Sequence, residues 1–529
     1  MMNDRPSVHA GLGRSTPTNF IGTAWAAWTA AAVVVAIAVL STFALSRPDA
    51  NGVTGPVTAG SGTQGNNAPS ATGPDQGGDQ QGQAGGGSAG QFAGGRAGSA
   101  GTRGGPVIGP GKSGGSSAGV SSAHCAAGQN GGNTSPGVSG SEIKLASTVV
   151  KSGIGTAFLG DVEFGMLAEM NKANRAGGIC GRQLSLKLVD DGWNASTGES
   201  DIRNFINEGY FALAVEPSSE GLRGAIDAGD IDNAGIPVVG TDGMLQDQYT
   251  DKFVWPVSTS TSSLMHIMAK YSYGKGARDF GLVYDGNYRF GVEGEAAFRG
   301  ALSRLGGANL VAEQKLQAGQ PSYDPTSFNV SCASCDFVGL LLEPDTANAW
   351  IQSGAYLGTS GKNVSLGAAG PQTLFTHHFG QDFAQHCNPS SSCHAHFLVW
   401  TGFKPPVSPD DTDPAVQTYV NDLAATNASA DRYNQFVEGG YAGMALLVQT
   451  LQQVGPNLTR AALRQVLDQT NFTSGLTGGA ESWRSGRHFA NITAQAFSFV
   501  INNGSFVNFR YENTGWVSDP WVGQDLLSG

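Results

Sequence analysis

Two strand–helix turns carry side chains fit to hold an anion. Ser218 and Ser219 follow a strand ending at Val215 and precede a helix expected from Gly221. A hydroxyl pair beside free backbone N–H groups at a helix N-terminus suits a carboxylate. Thr241, flanked by Gly240 and Gly243, occupies the same place after the next strand. Ser and Thr at such turns also serve as plain helix caps. Both readings stay open on these residues alone.

Other reactive residue types lead less far. Five of the nine His lie between His377 and His396, with Cys387 and Cys393 among them, all good ligand types for Zn²⁺ or Cu²⁺. Their spacing matches no familiar metal signature, so a structural loop is the preferred reading and no metal or cofactor is expected. Gly111-Lys112-Ser113 superficially resembles a phosphate loop, but Pro106 stands where the motif needs Gly. No G-x-S-x-G, H-E-x-x-H or G-x-x-x-x-G-K-[ST] occurs. Asp190–Asp191 and Asp410–Asp411 are adjacent pairs whose side chains diverge, and solvated acids are expected there. An enzyme is therefore not expected, and a secreted α/β hydrolase is the weakest alternative.

The elements that must position these residues begin late in the chain. Of 529 residues 78 are Gly, and the 90 residues from Asn51 to Gly140 hold 29 Gly and five charged side chains. Such a stretch has too little apolar side chain to offset the entropy of ordering it. Residues 46–139 are expected to form a disordered tether spanning roughly 50–57 Å. Before it, Phe20–Leu45 runs 26 residues without a charge, long enough to cross a hydrocarbon core of ~30 Å. It reads as a transmembrane signal anchor, with a cleavable signal peptide as the rival. Residues 1–19 are then cytoplasmic and the remainder is exported to the cell surface.

Export gives the cysteines a meaning, because exported thiols tend to pair. Six Cys allow fifteen pairings. Cys125–Cys180, Cys332–Cys335 and Cys387–Cys393 are the preferred set. A redox-active Cys332-x-x-Cys335 would need a thioredoxin-like context, which is missing. Residues 141–529 carry 38 acidic against 24 basic side chains. That excess would repel phosphates, so nucleic acid is excluded as a partner.

From Glu142 onwards, short apolar runs alternate with amphipathic segments. Strands are expected at 143–148, 184–189, 211–215 and 236–239, with helices at 161–175, 200–208 and 221–234 between them. A second series follows Trp255, with strands at 280–284, 310–315, 337–342, 364–366 and 396–400 and helices at 262–273, 292–305 and 346–357. Helices at 414–425, 434–454 and 459–469 and a hairpin over 492–511 complete the chain. Continuous apolar strands alternating with helices imply parallel sheets covered on both faces. The fold class is α/β.

The segment "NKANRAGGICGR" from Asn171 to Arg182, the following Asp190-Asp191 and the "AGIP" before a strand resemble the type I periplasmic solute-binding proteins, in particular the branched-chain amino-acid-binding family of bacterial ABC importers. The resemblance covers roughly residues 140–515. It implies two Rossmann-like lobes joined by a three-crossing hinge, with crossings near Val257, near Val399 and after Thr473. Residues 140–257 and 399–474 would form the first lobe, and 258–398 with 475–529 the second lobe and hinge.

The same resemblance implies a ligand-binding set. Ser218, Ser219, Gly240 and Thr241 would hold an α-carboxylate. Phe158 in the first cleft loop, Tyr288 after a second-lobe strand, and Phe436 at the start of a returning helix would pack on the ligand. Family members commonly offer Glu in a G-P-E turn, where this chain reads Gly370-Pro371-Gln372. Glu343 or Asp345 could replace the missing charge, which puts an α-amino-acid ligand in question and leaves amides, organic acids and small peptides open. The implied function is capture of a small polar solute by cleft closure and its delivery to an ABC importer permease. A ligand-sensing ectodomain is the alternative.

Overall fold

The computed structural model describes Cys125 and residues 129–241, 243–353, 364–368, 395–484, 487–502 and 505–527. The expected anchor at 20–45, Gln372, Cys387, Cys393 and the His-rich stretch up to His394 lie outside the described residues. No helix among the described residues is long and apolar enough to cross a membrane.

The first lobe alternates β1 (Glu142–Val149), α1 (Thr156–Leu159), α2 (Val162–Arg175), β2 (Gln183–Asp190), α3 (Ala195–Asn207), β3 (Ala212–Ala214), α4 (Ser219–Asp227), α5 (Asp230–Ala234), β4 (Val238–Thr241), α6 (Asp247–Thr250) and β5 (Val254–Pro256). Its five strands lie in the order β2-β1-β3-β4-β5, all parallel. The helix expected over 221–234 is two helices, because Gly229 takes φ +74° between them. The strand β5, only Val-Trp-Pro, is too short to leave a periodic signal.

The second lobe runs α7 (Thr261–Gly274), β6 (Asp279–Asp285), α8 (Arg289–Arg304), β7 (Asn309–Leu316), α9 (Thr326–Ser331), β8 (Phe337–Leu341), α10 (Pro344–Gln352), β9 (Val364–Ala368) and β10 (Ala395–Thr401). The chain then returns through α11 (Pro414–Thr426), α12 (Gln435–Val454) and α13 (Arg460–Leu467) to a small pair, β11 (Asn471–Phe472) and β12 (Glu481–Ser482). It ends with β13 (Thr493–Asn502), β14 (Ser505–Tyr511) and β15 (Val517–Ser518). The second sheet is ordered β14-β13-β10-β9-β8-β6-β7, with β13 and β14 antiparallel at one edge and β15 paired to β13.

Glycine sets the closest packing. A Cβ on Gly165 of α2 would stand 2.0 Å from the Val437 carbonyl oxygen of α12. Gly240 at the end of β4 meets Gly443 of α12 so closely that a Cβ would lie 2.3 Å from its Cα. These contacts seat α12, buried along most of its length, in the first lobe.

The segment Asn171–Arg182 also has a physical role. Asn174 bonds the backbone of Leu184 in both directions, and Gly177, Gly178, Cys180 and Gly181 all take positive φ. The Arg182 side chain is buried and donates to the carbonyls of Ser139, Gly132 and Pro456. Residues 129–139, taken from composition as the end of the tether, are thus part of the packed domain. Val138 is buried and bridges Ile143, and Gly137 abuts the Phe211 backbone. Disulfides join Cys125 to Cys180 and Cys332 to Cys335.

Three chain segments meet beside the two sheets. Thr259 forms a bridge with Asn491, whose Nδ2 donates to the Gly402 carbonyl at 3.1 Å. Thr259 donates in turn to the Thr493 carbonyl at 2.7 Å. One polar knot therefore laces the segments after β5, after β10 and before β13.

Candidate functional site

The loops after the carboxyl ends of β1 to β4 meet the second lobe along one closed crevice, at the place where open parallel sheets bind ligands. After β2 the chain turns through Asp190, Asp191, Gly192 and Trp193. Asp190 Oδ1 accepts the backbone N–H groups of Lys151, Ser152 and Gly192, tying the first crevice loop to the second. Burial alone would raise its pKa; these three donors prevail and hold it below the usual value. Asp191 does the reverse of what its neighbour does. Its side chain is buried, accepts from the Trp193 N–H at 2.9 Å, and is pushed up to about 6 by that burial. The expectation of two solvated acids holds for Asp190 and fails for Asp191.

Trp193, with φ +60°, projects into the crevice and is 3% exposed. Its Nε1 donates to Ser219 Oγ at 3.1 Å. Phe158 packs edge-on against its ring at 5.1 Å, and Phe436 lies 5.8 Å beyond Phe158. Across the crevice, Tyr288 of the second lobe stacks on the same ring at 4.3 Å and 21°, with Phe290 at 5.9 Å. Trp193 is the residue that sequence reasoning missed. Its signal was present: a large aromatic immediately after a strand and just before the helix cap Asn194.

The two hydroxyl turns differ. Ser218 Oγ caps α4 through the Gly221 N–H, and Ser219 Oγ receives the indole and lies 3.5 Å from Met244 Sδ. Both serines are buried. Thr241 donates to Gln248 Oε1 at 3.2 Å, and the close approach at Gly240 is to helix α12. Ahead of the serines, Val215 and Glu216 hold φ +67° and +48°, a costly conformation for a β-branched residue and one concentrated at functional sites. The Glu216 side chain accepts from the N–H and hydroxyl of Thr148, and burial pushes its carboxyl up to about 8.

Polar contacts also span the lobes. Glu220 of α4 accepts from the Arg289 N–H at 3.1 Å, capping α8 of the opposite lobe, where negative charge suits the helix N-terminus. Glu293 of α8 accepts from the Gln246 N–H at 2.8 Å and pairs with Arg289 Nε. Glu343 caps α10 through the Asp345 and Thr346 N–H groups, is fully buried, and is raised to about 7 by burial. Burial, then the charges of Asp285, Glu220 and Glu343, raises the Tyr288 pKa. The structure therefore groups Phe158, Ser219, Tyr288 and Phe436 around Trp193, places Glu343 within electrostatic reach of Tyr288, and sets Gly240 and Thr241 to other contacts.

Two parallel-stranded lobes meeting across an aromatic-lined crevice define a bilobal binding protein. Residues 142–503 match the family model described as periplasmic binding protein, more than half of the chain, and the chain belongs to that family. Its function is solute binding. No curated protein matches it in sequence. Among solved structures it is similar to a fatty acid ABC transporter substrate-binding protein from Thermomonospora curvata, at 17% identity and TM-score 0.58, over 74% of this chain and 97% of that one. A branched-chain amino acid transporter substrate-binding protein from Streptococcus pneumoniae, in complex with isoleucine, matches at 16% and 0.56, over 70% and 99%. A solute-binding protein from R. palustris in complex with 4-hydroxybenzoate matches at 14% and 0.59, over 72% and 97%.

Proposed function

We propose that this protein captures a small polar organic solute, an amino acid or a related molecule, between its lobes and delivers it to the permease of an ABC importer. The observation that carries this reading is the stacking of Trp193 on Tyr288, one ring from each lobe. A solute entering there must part the rings, and closure over it would then report the bound state. Phe158, Ser219 and Phe436 would complete the contact, with Ser218 holding the turn and Glu343 offering a buried carboxyl that gains its charge only near pH 7. The fold relatives carry ligands as unlike as isoleucine and 4-hydroxybenzoate, so the solute has to be argued from this chain's own side chains.

The finer placement follows from the sequence. The apolar run 20–45 would hold the protein at the membrane, and the Gly-rich stretch would space the binding domain from it. Delivery is tested by uptake: a strain lacking this protein should lose high-affinity uptake of the bound solute. Uptake that persists, with a lost transcriptional or motility response to that solute, would replace transport by sensing.

A further inference from the structure

A fourth connection joins the lobes besides the chain crossings, and it is not covalent. After β15 the chain leaves the second sheet and runs back over α7 and α8 as residues 519–527. Asp519, which is buried, accepts the Ser263 hydroxyl at 2.7 Å and lies 3.1 Å from His266 Nδ1. Its Oδ1 also takes the Trp521 N–H at 2.7 Å, which turns the chain. The Trp521 ring meets His266 edge-on at 5.6 Å, and the Arg304 guanidinium lies 5.6 Å from the same ring. Asp525 then pairs with both terminal nitrogens of Arg304 and stands 3.0 Å from His266 Nε2. Gly300 makes the seat, since a Cβ there would stand 2.3 Å from the Asp525 carboxyl carbon. The stretch is thus fixed to one helix pair of the second lobe by a bidentate, charge-assisted contact, the strong kind of polar bond.

The next two residues carry the chain to the first lobe. The side-chain amide of Gln246, a residue 8% exposed, donates to the Leu527 carbonyl at 2.7 Å and accepts the Leu527 N–H at 2.8 Å. Gln246 follows β4 of the first lobe, and its own N–H bonds Glu293 of α8. A Cβ on Gly523 would stand 3.6 Å from Phe489, which stacks on Tyr249 of α6 at 4.8 Å. Rigid-body opening of the lobes about their hinge would have to separate the two halves of the Gln246–Leu527 pair or peel the stretch from α7 and α8.

We propose that residues 519–527 are a strap that holds the lobes closed and is released at Gln246 when they open. Asp525 and Asp519 anchor it on the second lobe, and the Gln246 amide is the catch on the first. The strap goes beyond solute binding and rests on that reading only for its consequence, that release admits a solute to the crevice between Trp193 and Tyr288.

The test is amide hydrogen exchange of the full chain with no solute added, because exchange reads openings smaller than global unfolding. The reporter is the Arg289 N–H, whose acceptor Glu220 belongs to the opposite lobe. Strand amides of β1 and β6, one from each lobe, are the internal controls. Gln246→Ala and Asp525→Asn should each speed exchange at Arg289 severalfold and leave β1 and β6 unchanged. In the unaltered protein the N–H groups of Leu527, Gln246 and Arg289 should share one protection level, below that of β1 and β6. That comparison holds even where a variant fails to fold. Unchanged exchange at Arg289 in both variants overturns the strap. Equal acceleration at β1 and β6 overturns it too, because the stretch would then only stabilise the fold, and so do unequal protection levels at the three N–H groups. None of these outcomes bears on solute binding, which the uptake experiment decides separately.

Discussion

Trp193 and Tyr288, 95 positions apart in sequence, stack with centroids 4.3 Å apart although they belong to different lobes. The indole is fixed at its other end by the Ser219 hydroxyl. One side chain thus joins the serine turn, the aromatic cluster and the opposing lobe. Such aromatic pairs contribute ~0.5–1.5 kcal/mol beyond their buried area. Trp193→Ala and Tyr288→Ala should each weaken solute binding by about tenfold, with a coupled, less than additive loss in the double variant. Calorimetric titration of the four proteins measures that coupling.

Buried carboxylates should give the protein an unusual pH profile. Glu216 is raised to about 8 and Glu343 and Glu293 to about 7, each chiefly by burial. Between the unfolded carboxylate range and those values the folded protein binds more protons than the unfolded chain. Their stabilisation is therefore fully present below the unfolded pKa and is lost as pH rises towards 8. Urea midpoints should be higher at pH 6 than at pH 8. Glu216→Gln should flatten that slope, and an unchanged slope would show that Glu216 is not protonated in the fold.

Two glycines should resist the smallest enlargement. A Cβ at Gly221 would stand 2.0 Å from Asp191 Oδ2, and one at Gly240, where φ is +85°, would strike the Gly443 backbone. Gly221→Ala and Gly240→Ala should each cost about 1–3 kcal/mol or more through overpacking. Denaturant unfolding checks both.

The Cys125–Cys180 disulfide fastens the start of the packed domain to the turn after α2 across 55 residues. On the chain-entropy account, Cys125→Ser with Cys180→Ser should cost roughly 4 kcal/mol. The unaltered protein, unfolded without reductant, should show no thiol reactive to a labelling reagent. Labelling at Cys387 or Cys393 would break the remaining expected pair.

Much of the architecture was legible because the signals are local. Continuous apolar runs mark parallel strands such as β1 and β6, and the Asn171–Arg182 turn carries its own left-handed glycines. Expected and observed strands differ mostly by a residue or two at their ends. The crevice was less legible because its chemistry depends on which distant turns meet. Ser219 and Tyr288 stood out by position, yet Trp193, which links them, sat beside an acidic pair that looked solvated. Nothing local distinguishes Asp191 from Asp190; only the packing of α3 and α4, where Gly198 and Gly221 crowd its Oδ2, makes it a buried acid. Gly240 shows the same limit from the other side. Its sequence setting gives no sign of the close approach it makes to Gly443 of α12.

The most direct measurement is thermal unfolding of the full chain against a solute panel, repeated for Trp193→Phe and Ser219→Ala. Binding between the lobes predicts that one solute class raises the transition in the unaltered protein, adding ~2.7 kcal/mol at a hundred times its dissociation constant. Both variants should lose most of that rise. A solute that stabilises all three proteins equally would contradict the account, because it would bind somewhere other than the crevice that Trp193 fills.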